Sequence, residues 1–456
     1  MPRRRTVAIV SLAALIAIAP FLPRSHDDRP QGRITPVDGG NAAVPSDASG
    51  YGAVTPAMQA EIDRVVGAVA RQPVARGEVT LSQLAAQQVQ CATFEGLTYC
   101  LGIGWTDRPA AEVQTEVAQA ARTAEVRAKS AAVTNTGDLD PAAQLQSLAK
   151  VSPAVRARQD RAELTEAARS VAKVWVLRHE VLGVPYPPGF LARHPEVAAL
   201  TGQPTTLTPA ARTATPTKSA SPTKSTSPTK STSPTKSTSP TKSTSPTRSA
   251  NGSPSATATS SGTTRGRGYP VRDEVLDPTQ VHAQVRSYWC GPTSTQMIVW
   301  GWTGKKVGQG VWASRLGTTT SGTAIGSIVS VINKYTGWDR PDYAGPYITL
   351  DIGDWTYHQW YGLIKKHISS YQAPIVMHPI LLKKYFPYLA YDASGHYQVG
   401  RGYDKRGSQP NLVSYFEPWN QKKFNPALPY IKRVQWHSAY LAFRANKAHP
   451  YHNLGV

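Results

Sequence analysis

Cysteine is scarce in this sequence, with three among 456 residues. Beyond an apolar run at residues 7–19, no hydrophobic stretch approaches the roughly 20 residues that a membrane-spanning helix requires. The sequence also lacks side chains at metal-ligand spacing and a glycine-rich nucleotide-binding loop. We therefore expect no bound metal, no cofactor, and no transmembrane domain other than an anchor at the N-terminus.

Acidic residues are outnumbered, since 29 Asp and Glu stand against 50 Lys and Arg and the formal net charge is +21. The excess is uneven, because residues 201–268 hold nine Lys and Arg and no acid, whereas residues 269–456 hold 20 against 10. A basic surface favours polyanionic partners, and for an exported bacterial protein the candidates are anionic cell-wall polymers and anionic lipid. Nucleic acid binding is not expected, because the N-terminus has the pattern of an export signal.

The first 24 residues predict a signal peptide or an N-terminal anchor. Arg3, Arg4 and Arg5 precede the apolar run, and residues 17–19 have the small-x-small form of a cleavage site. Residues 25–50 are polar and rich in Gly, Pro and Asp, which predicts a disordered spacer. The protein is therefore expected outside the cell, either secreted or held at the cell surface.

Composition divides the rest of the chain into three parts. Residues 51–200 carry apolar side chains at helical spacing and predict a mainly α-helical domain of unknown role. Residues 201–268 contain a six-residue Ser/Thr/Pro/Lys repeat with almost nothing apolar to bury, which predicts a disordered linker. Residues 269–456 hold nine of the eleven tryptophans and predict a folded domain.

Hydrophobic periodicity predicts the secondary structure of the two folded parts. In the N-terminal part, helices are expected at residues 58–69, 81–89, 110–132, 141–148 and 161–182. In the C-terminal part, helices at 290–302, 311–316, 325–335 and 354–370 precede strands at 375–378, 397–402 and 412–416. Helices followed by strands favour an α+β fold.

Cys91 and Cys100 lie close together in the sequence. In an oxidising compartment they are expected to form a disulfide that closes a small loop, and two free buried thiols are the alternative. Cys290 is then unpaired. An unpaired cysteine in a secreted protein is either an intermolecular link or a reactive thiol.

A set of residues around Cys290 has the parts of a thiol hydrolase. Cys290 immediately precedes a predicted helix, and a helix N-terminus and a nearby imidazolium both lower the pKa of a thiol. His396 begins a predicted strand and would supply the imidazole, while Glu417 ends the next strand and would orient it. Gln284 would donate its side-chain amide to the developing oxyanion, together with the Cys290 N–H.

Residues 275–440 resemble the C39-like peptidase family. The resemblance rests on Gln284, Cys290-Gly291-Pro292, Gly322-Thr323, Ala373-Pro374-Ile375-Val376, Gly395-His396-Tyr397, Gly402-Tyr403-Asp404 and Glu417-Pro418. It implies a papain-like fold in which Cys290 is the nucleophile, His396 the general base and acid, and Gln284 the oxyanion donor. The family usually has Asp-Pro where this chain has Glu417-Pro418, so Asn420 and Asp404 are alternative third members of the triad.

The expected function is hydrolysis of peptide bonds in a peptide or protein substrate by a secreted or surface-attached cysteine peptidase. One alternative is a non-catalytic cell-wall-binding protein with a degenerate papain-like domain. Another is an amidase that acts on the stem peptides of peptidoglycan. The scattered histidines are expected to be surface or packed side chains: His378, His437, His449 and His452.

Overall fold

The structure is a computed structural model that describes residues 52–70, 80–130, 134–197, 268–336, 346–406 and 411–456. The predicted signal peptide or anchor (1–24) and spacer (25–50) lie outside these ranges, as does nearly all of the predicted linker (201–268). The chain divides into two compact units. The first contains the described residues up to Tyr186 and those from Tyr269 to Val456, and the second is Pro187–Gly268.

The N-terminal part of the first unit is built on helices close to the predicted ones. They are α1 (Pro56–Ala70), α2 (Leu81–Gln88), α3 (Ala110–Ser130), α4 (Pro141–Ala149) and α5 (Pro153–Leu182). Helix α5 starts earlier than predicted, with Pro153 in its first turn, where a missing N–H costs nothing. It ends at Gly183, which adopts the left-handed backbone conformation (φ 72°) that commonly terminates a helix.

Three strands interrupt these helices at a place where periodicity predicted none. They are β1 (Cys91–Phe94), β2 (Leu97–Cys100) and β3 (Gly104–Thr106). Strands β1 and β2 form a tight antiparallel hairpin in which Cys91 and Cys100 face each other. The predicted disulfide between these two cysteines is present. The residues between them are thus a paired hairpin whose open end the disulfide ties together.

We expect the double variant Cys91→Ser/Cys100→Ser to lose about 2–3 kcal/mol of unfolding free energy. The disulfide spans a sequence separation of 9, and removing a link of this length releases chain entropy in the unfolded state. Urea denaturation of both proteins measures the difference. A reductant should lower the midpoint of the unaltered protein and leave that of the double variant unchanged. Equal midpoints for the two oxidised proteins would contradict the prediction.

The C-terminal part begins with β4 (Arg272–Glu274) and then becomes helical. Its helices are α7 (Cys290–Thr303), α8 (Gln309–Leu316), α9 (Ile325–Thr336) and α10 (Tyr357–Lys365), and a π-helical turn, Lys366–Ser370, continues α10. The later elements are β6 (Ile375–Met377), β7 (Gln398–Asp404), β8 (Leu412–Phe416), β9 (Val434–Ser438), α12 (Ala439–Lys447) and β10 (Asn453–Gly455). Two shorter elements complete the set: β5 (Thr349–Asp351) and α11 (Gln421–Phe424). The second unit contributes the short helix α6 (Phe190–Arg193).

Within the described residues, ten strands form a single mixed sheet. Its order is β1-β2-β3-β5-β10-β6-β7-β8-β9, and β4 pairs with β7 outside this path. Strand β3 lies parallel to β5 through Trp105 and Leu350, so the sheet continues from the N-terminal residues into the C-terminal ones. The predicted α+β class is confirmed. Among the helices in the described ranges, none is both long and apolar enough to cross a membrane.

Candidate active site

Cys290 is the first residue of α7 and is completely buried. Pro292 fits the first turn of this helix because its nitrogen has no hydrogen to leave unpaired. The backbone N–H of Tyr397, which precedes β7, lies near enough to the Cys290 thiol to lower its pKa. The side-chain hydroxyl of Ser294 donates to the Tyr397 carbonyl at 3.2 Å, which ties the same helix to the same strand. The thiol therefore lies beside the residue that follows His396.

His396 and Glu417 are brought together by two neighbouring antiparallel strands, β7 and β8. His396 Nε2 lies 2.7 Å from Glu417 Oε1, and both side chains are fully buried. Glu417 accepts three further hydrogen bonds, from the Trp419 N–H at 2.8 Å, the Tyr388 hydroxyl at 2.9 Å and Gln398 Nε2 at 2.7 Å. Four donors thus converge on one carboxylate and hold it in a fixed position.

These contacts determine the protonation of the pair. Burial on its own would raise the pKa of Glu417, but His396 and the donated hydrogen bonds lower it below its usual value. The ionised carboxylate accepts but cannot donate, so the His396 proton is on Nε2. Nδ1 is then the basic nitrogen of the neutral ring, and it has no hydrogen-bond partner among the described residues. His396 is oriented to take a proton at Nδ1.

The two alternative third members lie elsewhere. Asp404, at the end of β7, pairs with Arg406 at 2.9 Å and with Arg272 at 3.5 Å. Asn420 precedes α11, and its buried Oδ1 has no hydrogen-bond partner in the described part of the chain. Of the three candidates, Glu417 is the one hydrogen-bonded to His396.

Gln284 is also fully buried, and its backbone N–H donates to the Pro418 carbonyl at 3.0 Å. Its side-chain Nε2 lies 3.1 Å from the carbonyl oxygen of Thr136. The backbone N–H of Cys290 points at that same oxygen, at 3.3 Å. The two groups predicted to hold an oxyanion therefore converge on one carbonyl group. This carbonyl group, that of Thr136, belongs to residues 134–139 between α3 and α4, which we call the 134–139 segment.

The pKa of Cys290 departs from the expected direction. The sequence predicted a lowered value, but burial raises the pKa of the thiol well above its ordinary range. The charges of Asp138 and Glu417 raise it further, while the N–H groups of Tyr397 and Gly291 offset part of the effect. Asp138 belongs to the 134–139 segment, so part of this rise comes from residues that cover the cysteine. In this arrangement Cys290 is a neutral thiol.

Sequence reasoning missed a cluster of three buried residues next to this site. Asp138 lies 2.8 Å from His378 Nε2 and 3.0 Å from His449 Nε2. The Nδ1 of His378 lies 2.7 Å from Asn453 Oδ1, so both ring nitrogens of His378 have a hydrogen-bond partner. The Nδ1 of His449 accepts from the Tyr451 N–H at 3.1 Å, which leaves its Nε2–H for Asp138.

Burial and the contacts within the cluster set the pKa values of Asp138 and His449. Burial alone would raise the pKa of Asp138, but His378 and His449 hold it well below its usual range. Burial lowers the pKa of His449 to about 4, so this ring is neutral near pH 7. The three ligand atoms lie within 4.8 Å of one another, a spacing that a metal ion could use. However, direct hydrogen bonds already join them, and we interpret the cluster as an ion pair.

Comparison with known proteins gives one match. Residues 277–446 match the model of the Peptidase_C39 like family. No curated protein and no solved structure matches the chain. The resemblance inferred from the motifs is thus confirmed for the C-terminal region, and it supports a cysteine peptidase at the level of the family. Asp138 and His449 lie outside the matched residues.

Proposed function

We propose that the protein hydrolyses peptide bonds through a Cys290–His396–Glu417 triad. The proposal builds on the family match of residues 277–446. The observation that carries the proposal is the 2.7 Å contact between His396 Nε2 and Glu417 Oε1. It leaves the basic Nδ1 for the thiol proton. Covalent acyl transfer uses a nucleophile, a base and an orienting carboxylate, and the contact between His396 and Glu417 supports the last two of these roles.

The proposed reaction proceeds in two halves. His396 Nδ1 takes the Cys290 proton, and the thiolate attacks the carbonyl carbon of the scissile peptide. The charged oxygen is held by the Cys290 N–H and the Gln284 amide, and the imidazolium is stabilised by Glu417. His396 then protonates the leaving amine as the C–N bond breaks, which leaves a thioester. Water, deprotonated by His396, attacks the thioester and releases the acid and the free thiol.

We also propose that the protein acts outside the cell on a peptide or protein substrate. The disulfide between Cys91 and Cys100 supports an oxidising compartment. Anionic cell-wall polymers are the second proposed partner, on the strength of the positive charge in residues 201–268.

Gln284→Ala is expected to lower kcat by about 10²–10³-fold with a smaller change in KM. The amide stabilises charge that exists in the transition state more than in the bound substrate, and one oxyanion donor has about this effect. Steady-state kinetics on a fluorogenic peptide measures the change. Val285→Ala is the control, because its exposed side chain neighbours Gln284 in the sequence. A loss confined to KM would show that Gln284 binds substrate without stabilising the oxyanion.

The function itself is tested with the full chain and a denatured protein substrate, by following the release of new amino groups. Because Cys290 is buried, the assay includes the Gly137→Ala variant. A Cβ at Gly137 would lie 2.5 Å from the Tyr288 carbonyl oxygen and so displaces the 134–139 segment. Cleavage by either protein, abolished by iodoacetamide, supports the proposal. No cleavage by either folded protein overturns it.

A further inference from the structure

The 134–139 segment lies against Cys290 and the residue before His396. The carbonyl oxygen of Thr136 receives the Cys290 N–H at 3.3 Å and the Gln284 amide at 3.1 Å. The Thr136 hydroxyl donates at 2.8 Å to the carbonyl of Gly395, the residue before His396. Thr136 is therefore bonded on one side to the nucleophile's helix and on the other to the histidine's strand. This is the place of the residue whose carbonyl a thiolate would attack.

Main-chain hydrogen bonds hold both ends of the segment. On the N-terminal side, the Ser394 N–H donates to the Thr134 carbonyl at 3.1 Å. On the C-terminal side, the Thr323 N–H donates to the Gly137 carbonyl at 2.9 Å, and the Leu139 N–H donates to the Thr323 carbonyl at 3.2 Å. Main-chain pairing of a peptide with a protein is a common mode of substrate recognition.

Gly137 brings the segment closer to the nucleophile than any other residue type would allow. Its φ is +118°, a region that side-chain-bearing residues rarely adopt. An added Cβ would lie 2.5 Å from the Tyr288 carbonyl oxygen and 2.9 Å from the Cys290 nitrogen. The backbone of the segment therefore lies directly against the backbone that carries Cys290.

Asp138 anchors the segment through side-chain contacts that a peptide substrate would not need to make. Its carboxylate is 4% exposed and bonds both His378 and His449. The hydroxyl of Tyr397 also donates a hydrogen bond to Asp138 Oδ1, at 3.2 Å. All three partners are fully buried or nearly so. Withdrawing this carboxylate is costly, because it would leave three buried side chains without their hydrogen-bond partner.

We propose that the 134–139 segment is a built-in inhibitor that lies in the substrate cleft in the manner of a substrate and keeps the peptidase latent. This inference rests on the proposed function. The Asp138–His378–His449 cluster is the latch that holds the segment in place. Release of the segment exposes Cys290, removes the Thr136 carbonyl from both oxyanion donors and takes the Asp138 carboxylate away from the thiol.

The same contacts explain why the segment is held and not cut. Hydrogen bonds on both sides of the Thr136–Gly137 peptide bond keep the two halves together. The Gly137 N–H also donates to Asn135 Oδ1 at 2.9 Å, which fixes the nitrogen that would have to leave. With the segment in place, burial and the Asp138 charge keep Cys290 protonated. The bound state thus withholds the thiolate that cleavage would need.

The latch is tested by the rate at which iodoacetamide alkylates Cys290 in the folded full chain near neutral pH, followed by intact mass. The other two cysteines are joined in a disulfide, so a single adduct reports on Cys290. We expect Asp138→Asn to be alkylated about a hundredfold faster than the unaltered protein, because breaking a buried ion pair favours opening. Gly137→Ala is expected to change the rate in the same direction by steric displacement of the segment.

Asp140→Asn is the matched control. It removes the same charge two residues further on, but Asp140 only caps α4, where asparagine serves equally well. Its alkylation rate should equal that of the unaltered protein. Circular dichroism and thermal unfolding confirm that each variant is folded. If Asp138→Asn does not fold, Gly137→Ala decides the outcome.

Equal alkylation rates in the unaltered protein and in the folded variants would overturn the latch. A rate in the unaltered protein as high as that of a free thiol would do the same. Faster alkylation without any peptide hydrolysis would support the latch and reject the proposed peptidase. Conversely, hydrolysis by the unaltered protein at the rate of Gly137→Ala would support the peptidase and reject latency.

Discussion

Replacing Cys290 by alanine in the Gly137→Ala background is expected to lower kcat/KM by about 10⁴–10⁶-fold. The thiolate forms the covalent bond in both halves of the proposed reaction, and removing a nucleophile typically costs this much. The substitution removes one buried sulfur and leaves Gln284, His396 and Glu417 in place. Continuous cleavage of a fluorogenic peptide, compared with the Gly137→Ala parent, measures the loss.

The control for this prediction is Cys290→Ser, which keeps the size and position of the side chain. A hydroxyl is far less acidic than a thiol, so we expect this variant to lose activity almost as completely. Thermal unfolding of both variants should stay close to that of the parent, because the change in buried volume is small. Activity within tenfold of the parent in either folded variant would show that Cys290 is not the nucleophile.

The residues of the proposed triad could be singled out from the sequence because each lies in a short local pattern. Cys290 begins a helix that has proline in its first turn, His396 follows a glycine two residues before β7, and Glu417 directly follows β8. Gln284 has a fixed spacing from Cys290. The pairing of β7 with β8 then places His396 beside Glu417.

Asp138 could not be predicted in the same way. It lies 240 residues before His378 and 311 before His449, and neither spacing carries a signal. The histidines were expected to be surface or packed, and they are packed, but their partner comes from the part of the chain that seemed to have no chemical role. A buried ion pair between distant residues depends on tertiary contacts that periodicity does not contain.

Most of the strands that the sequence did not reveal are short, although β9 has five residues. Strands β3, β4, β5 and β10 have three residues each, which is too few for an alternating pattern to stand out. The hairpin of β1 and β2 was predicted as a loop because its two cysteines suggested a closed ring. Of these short strands, β3 links the N-terminal residues to β5.

The second large effect is expected at Glu417, where alanine should lower kcat/KM by about 10³–10⁴-fold in the Gly137→Ala background. Glu417 does not touch the substrate; it fixes the His396 proton on Nε2 and stabilises the imidazolium. Glu417→Gln should be nearly as inactive, because four donors face this side chain and an amide would have to turn its own NH₂ toward some of them. Measuring kcat/KM over a range of pH separates the loss of the Nε2 proton position from the loss of imidazolium stabilisation.

Glu417→Asp is the decisive member of this series, because it restores the residue usual in the family while shortening the side chain. The Tyr388, Gln398 and Trp419 donors are placed for a glutamate, so withdrawing the carboxylate by one methylene weakens its bond to His396. We therefore expect a loss of about tenfold, corresponding to roughly 1.4 kcal/mol of transition-state stabilisation. A purely structural role would lower the thermal midpoint of all three variants and leave the kcat of the folded fraction unchanged, which would contradict the prediction. Full activity in Glu417→Ala together with inactivity in Asn420→Ala would instead assign the orienting role to Asn420.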